Sequence, residues 1–275
     1  MRRATAEFPV VARASVGVLR PLSRIGVGFV RGIGARVIFV RDIGRAFGEP
    51  STWRPLVMPQ MRAIGVDSLP LAAMVAAFIG GVIALQVRYQ LFQGIQLSVV
   101  GLSVRQMIVL ELGPLLTGLV LTGRVGGRMT AEIGTMRVTE QIDALETLAY
   151  DPVAYLVVPR LIAGTLMLPV LVILADAVGV VSGLATAYLA TDVTFAQFRD
   201  GLRLGFTEFQ LWYSLIKATM FGAAIAFLCA FEGYATEAGA EGVGRSTARA
   251  VVYTSVAILV LDSITALFLA RYLAA

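Results

Sequence analysis

The chain has 275 residues, of which 57% are hydrophobic and only 15% are charged, and its mean hydropathy is +0.80. This apolar share exceeds that of soluble domains, so the composition excludes a soluble globular protein and predicts one surrounded mostly by lipid. A single cysteine excludes an internal disulfide, and the absence of histidine removes the commonest general base and metal ligand. We therefore expect no catalytic residue, no metal site and no nucleic-acid partner in this chain.

The positive charge of the chain is concentrated in residues 1–62, where arginine far outnumbers the acids. We predict that these residues form a basic N-terminal segment and that residues 63–275 form a membrane domain. The positive-inside rule places such a segment in the cytoplasm. Because arginines interrupt every early apolar stretch, no cleavable signal peptide is expected, and an organelle transit peptide stays an alternative.

Four arginines in this segment, Arg13, Arg20, Arg24 and Arg31, are spaced so that they share a narrow stripe of one helical face. This pattern predicts an amphipathic helix lying in the membrane interface, with its guanidinium groups on lipid headgroups. The alternative is a loosely structured basic tail, which Pro21 and the neighbouring glycines favour.

Five apolar runs follow, and each is long enough to cross a hydrocarbon core of about 30 Å. They predict an all-α polytopic membrane protein with its N-terminus cytoplasmic and its C-terminus periplasmic, since five is an odd number. The runs are residues 69–86, 107–122, 161–190, 211–231 and 251–273.

The first span has two distinct faces. Small residues recur every four positions and predict close packing against another helix, as does the weaker Gly179–Gly183 pair in the third span; they are Ala72, Ala76, Gly80 and Ala84. Large apolar residues form a second stripe, the candidate wall of an apolar lipid path or a surface facing bulk lipid; they are Leu71, Val75, Phe78 and Val82.

Four ionisable residues interrupt the later spans: Glu111, Asp176, Lys217 and Asp262. A charged, unpaired Glu111 near the middle of the membrane would cost on the order of 3 kcal/mol, so it must be neutral, paired or facing water. A contact with a lipid headgroup and a structural hydrogen bond both stay open for Glu111, which we include among the lipid-path candidates. For the other three, a structural hydrogen bond is the preferred interpretation.

Residues 123–160 are predicted to form a cytoplasmic loop that contains an amphipathic helix. Thr139 is expected to cap the start of this helix, and Asp151-Pro152 is expected to stop it. An apolar face on a helix too short and too charged to span needs a partner, either a soluble subunit or the membrane interface. That face consists of Val138, Ile142, Leu145 and Ala149.

Residues 239–246, GAEGVGRS, match the spacing of a phosphate-binding loop except that Arg245 replaces the lysine. The match is misleading for two reasons. This stretch lies between two predicted spans, and the negative charge of Glu241 would repel the phosphates of a nucleotide. We predict instead a tight glycine-rich turn on the cytoplasmic side.

The loop sequence "AEIGTMRVTEQIDALETL" followed by "DPVAYLVVPR" resembles the signature of the MlaE/YrbE permeases, the membrane subunits of Mla/Mce-type phospholipid ABC transporters. Further blocks agree in the same order: "IGVDSLPL", "GGVIALQ", "ELGPLLTGLVLTGRVG" and "EGYATEAGAEGVGRSTARAVV". The resemblance runs from about Trp53 to the C-terminus. One departure is Leu110, since the family usually has arginine before the glutamate at this point, so any ion pair of that arginine must be missing or replaced.

The resemblance implies a homodimeric permease in the inner membrane of a Gram-negative-type cell, bound to a cytoplasmic ABC ATPase dimer and a periplasmic Mce-domain hexamer. It also implies movement of phospholipid that maintains outer-membrane lipid asymmetry. ATP and Mg would be held by the ATPase, so we expect no cofactor in this chain. The resemblance assigns residues 132–148 as the coupling helix that engages the ATPase, through Glu132, Gly134, Thr135, Met136, Arg137, Glu140, Gln141, Asp143 and Leu145.

Two functions from other classes stay open as alternatives. A membrane-embedded lipid-modifying enzyme would need a nucleophile or paired carboxylates at one depth, whereas this chain offers scattered single acids. A non-transporting membrane anchor for the Mce ring would need neither.

Overall fold

The computed structural model describes residues 32, 34–237, 239–269 and 272. By its internal contacts the chain divides into two units, Met1–Arg45 and Ala46–Ala275. The described part of the first unit consists of residue 32 and helix α1, which covers residues 34–46 and so ends one residue after Arg45. The arginine stripe between residues 13 and 31 lies outside the described residues, so the interfacial helix stays a prediction, as does the domain boundary at residue 62.

The second unit is built from helices joined by short connections. Within the described residues, five helical stretches are long and apolar enough to cross a membrane, which confirms an all-α polytopic membrane protein. The first of these stretches, Pro50–Gln90, comprises two helices joined by a single tight turn. The helices are α2 (Pro50–Ile64), α3 (Leu69–Gln90), α4 (Ser98–Val138), α5 (Gln141–Thr147), α6 (Val153–Ala190), α7 (Phe195–Arg203), α8 (Glu208–Tyr234) and α9 (Ala240–Leu269).

Helix α4 is much longer than the predicted second span. Its 41 residues extend roughly 60 Å at about 1.5 Å per residue, twice the hydrocarbon thickness. The predicted loop beginning at Gly123 was therefore wrong up to Val138. The helix continues because Met129 and Ile133 are buried against its neighbours, and because the Thr130 hydroxyl donates to the Cys229 carbonyl of α8 at 2.9 Å.

The short helix α5 is bracketed by two residues in the left-handed region, Glu140 with φ 58° and Ala149 with φ 60°. The predicted cap at Thr139 was wrong, because its hydroxyl donates backward to the Thr135 carbonyl and so belongs to the end of α4. At the other end, the Tyr150 amide donates to the Leu145 carbonyl at 3.0 Å, which closes the helix in a Schellman arrangement. Two sharp turns therefore set α5 apart from its neighbours.

Helix α6 begins at Val153, eight residues before the predicted third span. Asp151 accepts a hydrogen bond from the Val153 amide at 2.8 Å and so satisfies a free donor in the first turn. Asp151-Pro152 therefore starts α6, while α5 has already ended at Thr147.

The glycine-rich turn predicted at residues 239–246 was wrong for most of its length. Only Gly239, with φ +94°, has the backbone of a turn, and Ala240 already begins α9. An ion pair between Arg245 and Glu241 at 2.6 Å, one helical turn apart, accompanies this helical conformation.

Helix α7, between the third and fourth spans, was missed from the sequence. Thr194 accepts from the Gln197 amide, and the Gln197 side chain accepts from the Thr194 amide, which together form a capping box. Arg105 of α4 holds the other end of α7 by donating to the Leu202 and Leu204 carbonyls at 2.7 and 3.0 Å. The Thr-x-x-Gln pattern was visible in the sequence.

A second tie at this end joins α3 to the segment before α7. The Arg88 guanidinium donates two hydrogen bonds to the Asp192 carboxylate, at 2.5 and 2.6 Å. This bidentate contact lowers the pKa of Asp192 below its usual range. The carboxylate therefore stays ionised at neutral pH.

Helix α4 lies at the centre of the bundle. Helices α3, α6, α8 and α9 contact one another in that order, and α4 contacts all four. The described residues show no comparably extensive contact between α3 and α9. The arc around α4 is therefore open on the side between these two helices.

The small face of α3 packs against α6, as predicted, with the backbone of Gly80 directly against that of Gly179. A Cβ atom built at Gly80 would lie only 1.9 Å from the Gly179 carbonyl oxygen. The close approach of α3 and α6 therefore requires glycine at residue 80.

Replacing Gly80 with alanine should destabilise the bundle by about 1–3 kcal/mol, because the backbone of Gly179 cannot move aside as a flexible side chain would. Thermal unfolding of the purified protein in detergent measures the effect. The matched control is Gly244→Ala, where a Cβ meets nothing within 4 Å and helix propensity should make the change neutral or slightly stabilising. Equal melting temperatures for the two variants would contradict this packing.

Candidate functional site

The hydrogen-bond ladder of α4 is interrupted at Gly113-Pro114. The Gly113 amide donates to the Ile108 carbonyl, so donor and acceptor are five positions apart in the sequence instead of the four of an α-helix. Pro114 has no N–H, and the carbonyl of Leu110, four residues earlier, therefore loses its usual donor. The ammonium of Lys217 on α8 lies 3.2 Å from this oxygen and donates to it.

Lys217 is fully buried, and it joins three of the spans. Its Nζ lies 2.6 Å from Oε2 of Glu111 on α4 and 2.7 Å from Oδ1 of Asp262 on α9. The ring of Tyr213, one turn earlier on α8, lies with its centroid 4.8 Å from Nζ. We call Glu111, Lys217 and Asp262 the ionic cluster.

The ionic cluster combines one cation with two anions, so the charge of Lys217 is compensated although its side chain has no exposed surface. An isolated ammonium in a low-dielectric interior is strongly unfavourable, and a charge that loses its partner there typically costs about 3–5 kcal/mol. The cluster therefore holds α4, α8 and α9 together as a set.

The two acids of the cluster differ in exposure. The Asp262 side chain is 11% exposed, whereas that of Glu111 is 44% exposed although it belongs to the same ion-paired group. The Glu111 side chain thus reaches the surface of the bundle. Both interpretations of Glu111, a structural contact and a contact with a polar group outside this chain, agree with this position.

Asp176 on α6 is separate from the ionic cluster. Its Oδ2 accepts from the Ser214 hydroxyl at 3.3 Å, and its Oδ1 has no hydrogen-bond partner within the described residues. A Cβ at Gly113 would collide with Oδ1, so the glycine leaves room for this carboxyl. Both polar residues border an apolar groove of about 480 Å³ between α6 and α8.

The predicted lipid-path stripe on α3 is divided between two environments. Leu71 and Val75 are half-buried, and Val75 lies in a crevice with Leu112 of α4. Phe78 and Val82 are 72% and 58% exposed. The stripe therefore begins beside α4 and continues onto the outer surface, and its role as a lipid path stays a prediction.

The predicted coupling residues lie on two elements. The end of α4 carries Glu132, Gly134, Thr135, Met136 and Arg137, and the turn and α5 carry Glu140, Gln141, Asp143 and Leu145. An ion pair at 2.9 Å between Arg137 and Asp143 joins the two elements. The structure thus brings these residues to one end of the bundle, where Gly134 is buried and Glu140, Gln141 and Asp143 are exposed.

The apolar face predicted for the loop helix is only partly available to a partner. Ile142 is completely buried against this chain, and Leu145 is half-buried. Leu148 and Tyr150, which were not selected from the sequence, are 68% and 49% exposed beside α5. The free surface of this protrusion therefore combines large apolar side chains with the acids of α5.

Lys217 was noted in the sequence but was not selected as a site residue. Its position within an apolar span was one available indication, since an unpaired lysine there would be costly. The register between α4, α8 and α9, which brings two acids to the same depth, depends on packing and was not visible in the sequence.

Replacing Lys217 with methionine should destabilise the protein by about 3–5 kcal/mol, because two carboxylates would lose their shared cation. Combining it with Glu111→Gln and Asp262→Asn should restore much of the stability, since no charge is then left unpaired. Thermal unfolding in detergent compares the two variants, with Thr219→Met on the exposed side of α8 as the control. A single Lys217 variant as stable as its control would contradict the role of the cluster.

Comparison with known proteins identifies relatives along nearly the whole chain. A family model described as permease MlaE matches residues 57–268. A probable ABC transporter permease protein of Rickettsia typhi is 37% identical over 248 residues, which cover 85% of this chain and 90% of the relative.

Two further relatives carry more specific names. The intermembrane phospholipid transport system permease protein MlaE of Haemophilus influenzae is 34% identical over 250 residues, covering 86% of this chain and 96% of that protein. The chloroplastic protein trigalactosyldiacylglycerol 1 of Arabidopsis thaliana is 31% identical over 239 residues, covering 86% and 68%. On this evidence and its five apolar helices, the chain belongs to the MlaE permease family, the membrane-spanning permeases of ABC-type transporters.

Proposed function

We propose that this permease moves phospholipid between the inner membrane of a Gram-negative-type cell and a periplasmic Mce-type lipid-binding hexamer. A separate cytoplasmic ATPase dimer, which holds ATP and Mg, supplies the energy, and the transport maintains outer-membrane lipid asymmetry. The lipid class is supported by the Haemophilus relative, which is named for intermembrane phospholipid transport.

The observation that carries this proposal is the half-exposed side chain of Glu111 on the central helix of the bundle. Since α4 is surrounded by its neighbours except between α3 and α9, we infer that this carboxylate faces that gap. A charged carboxylate against hydrocarbon would cost about 3 kcal/mol. The gap is therefore better suited to a protein-lined cavity than to bulk lipid.

A second copy of the chain is our proposed cover for this gap. Both flanking helices carry exposed large apolar side chains, including Phe78 on α3 and Val256 and Leu259 on α9. A twofold-related copy would place the same two helices opposite them and enclose a continuous apolar space. Glu111 would then lie in the wall of that space.

An enclosed apolar path is required on energetic grounds. Exposing roughly 30 methylenes of two acyl chains to water would cost on the order of 25 kcal/mol at about 0.8 kcal/mol each. We therefore place the lipid path at the dimer axis, with Leu71, Val75, Phe78 and Val82 as its candidate wall.

Coupling to the ATPase is assigned to residues 132–148. This region is supported by the protrusion of α5 between two left-handed turns, and by the ion pair that connects it to α4. Movement of α5 would reach the end of α4 through this ion pair, and Glu111 lies farther along that same helix. In this proposal α5 and the N-terminus lie in the cytoplasm, and α7 and the C-terminus lie in the periplasm.

Replacing Leu145 with aspartate should abolish co-purification of the ATPase, because a charge would enter the apolar part of the coupling surface. Leu148→Asp should act in the same way and with less effect on folding, since Leu148 is 68% exposed. Co-expression with the ATPase, followed by affinity purification and ATPase assay, measures the loss. The permease purified alone should hydrolyse no ATP.

The control for these coupling variants is Leu204→Asp. Leu204 is also an exposed leucine, 54% exposed, but it lies at the opposite end of the bundle next to α7. ATPase retained by both α5 variants, or lost equally by the control, would remove the coupling assignment.

A photo-crosslinking residue at Val75 or Phe78 should capture phospholipid with a yield that changes with ATP. A wall of the proposed path changes its accessibility as the transporter cycles, whereas a surface in bulk lipid does not. The measurement uses the full complex in membranes, with and without ATP, followed by mass spectrometry of the adduct.

Leu166 provides the matched control, because it is 53% exposed on α6, away from the gap between α3 and α9. Its crosslinking yield should not depend on ATP. Yields indifferent to ATP at both Val75 and Phe78 would refute this placement of the path.

A further inference from the structure

A basic pocket lies away from the proposed path, where the end of α2 meets α4 and α6. It has a volume of about 70 Å³ and its lining combines polar and apolar atoms. Three arginines and one acid contribute to it. Its lining residues include Arg124, Arg128, Glu132, Arg160, Gln60 and Ile64.

The charges in this pocket are not balanced. Arg160 is buried, and its guanidinium donates to the Leu156 carbonyl at 2.7 Å and reaches Glu132 only at 3.4 Å. Glu132 is also shared with Arg128, at 2.7 Å. A single carboxylate thus serves two guanidiniums, and Arg124 adds a third, while the nearby Asp67 offsets part of the charge.

The backbone of α4 brings two of these arginines to the pocket. The Gly127 amide donates to the Thr122 carbonyl, which makes a second five-residue turn over Thr122–Gly126. Arg124 lies in this wide turn and Arg128 lies directly after it, so both line one pocket. Guanidinium groups are the side chains best matched to the oxygens of a phosphate group.

The basic pocket adjoins a small apolar crevice of about 10 Å³ between α4, α6 and α8. Ile64, Val125 and Met129 line both, and the buried side chains of Leu121, Leu168 and Ile225 close the far end of the crevice. The crevice is too small for an acyl chain, so a ligand of the basic pocket would be held by its anionic group.

We propose that this pocket binds a phosphate group, either on the headgroup of an anionic membrane lipid or on a soluble ligand. The site is distinct from the gap between α3 and α9, since it is formed by α2, α4 and α6. It does not depend on the direction of transport or on the identity of the partners.

The test uses the full-length permease in detergent, with phosphatidylglycerol, phosphatidylcholine and inorganic phosphate as probes. Native mass spectrometry counts retained lipid, and thermal shift reports binding of inorganic phosphate. Arg124→Gln should lower the apparent affinity for phosphatidylglycerol about tenfold, as expected for one lost charge-assisted contact. Arg124→Lys should retain part of the binding, and phosphatidylcholine should be retained less than phosphatidylglycerol by the unmodified protein.

Arg124 is exposed and lies outside the Glu132 ion pairs, so its replacement should leave the fold intact. Lipid bound elsewhere is unaffected by this change, so the difference between the variants reports on this pocket. The matched control is Arg245→Gln, an exposed arginine near the same end of the bundle, which should bind lipid normally.

The three probes separate the possible sources of the phosphate. Phosphatidylglycerol binding that depends on Arg124, and that inorganic phosphate does not displace, supports a lipid phosphate. Displacement by inorganic phosphate, also dependent on Arg124, supports a phosphate site and assigns it to a soluble ligand. Equal binding of every probe by the unmodified protein and Arg124→Gln, or an equal loss in Arg245→Gln, would overturn the proposal.

Discussion

The burial of a single ammonium group, that of Lys217, constrains the arrangement of this bundle more than any other interaction. A charge with no access to water must be neutralised by protein, and Glu111 and Asp262 do so from two other spans. The same ammonium satisfies the Leu110 carbonyl that Pro114 leaves without a donor. These contacts therefore favour one register among helices α4, α8 and α9.

On the other side of α4, packing is set by shape instead of charge. The contact between α3 and α6 depends on backbone meeting backbone at Gly80 and Gly179, where any side chain would intervene. Lipid provides no hydrophobic driving force between helices, so a contact of this kind is stabilised by van der Waals packing. The bundle thus combines a small-residue contact on one side with an ion-paired contact on the other.

The sequence was sufficient to predict the spans and much of their chemistry, because apolar length and small-residue spacing are local properties. Gly179 and the small face of α3 were correctly expected to pack closely. Local signals did not predict that α4 continues past Gly123, since this glycine-rich stretch is supported as a helix by its packing against α8 and α9. Nor did they show that Lys217 meets Glu111, because the register between distant helices is a property of the assembled bundle.

The ionisable residues of the spans are accommodated in three different ways, and the differences bear on function. Lys217 is fully compensated within the chain, and Asp176 has a partial partner in Ser214 beside an apolar groove. Glu111 is paired with Lys217, and its side chain also reaches the surface. Burying both members of an ion pair strengthens their attraction but also costs the solvation of both charges, so a pair with one exposed member is a stable arrangement as well. The exposed side chain of Glu111 is the feature that motivates our proposal that a second copy of the chain covers this surface.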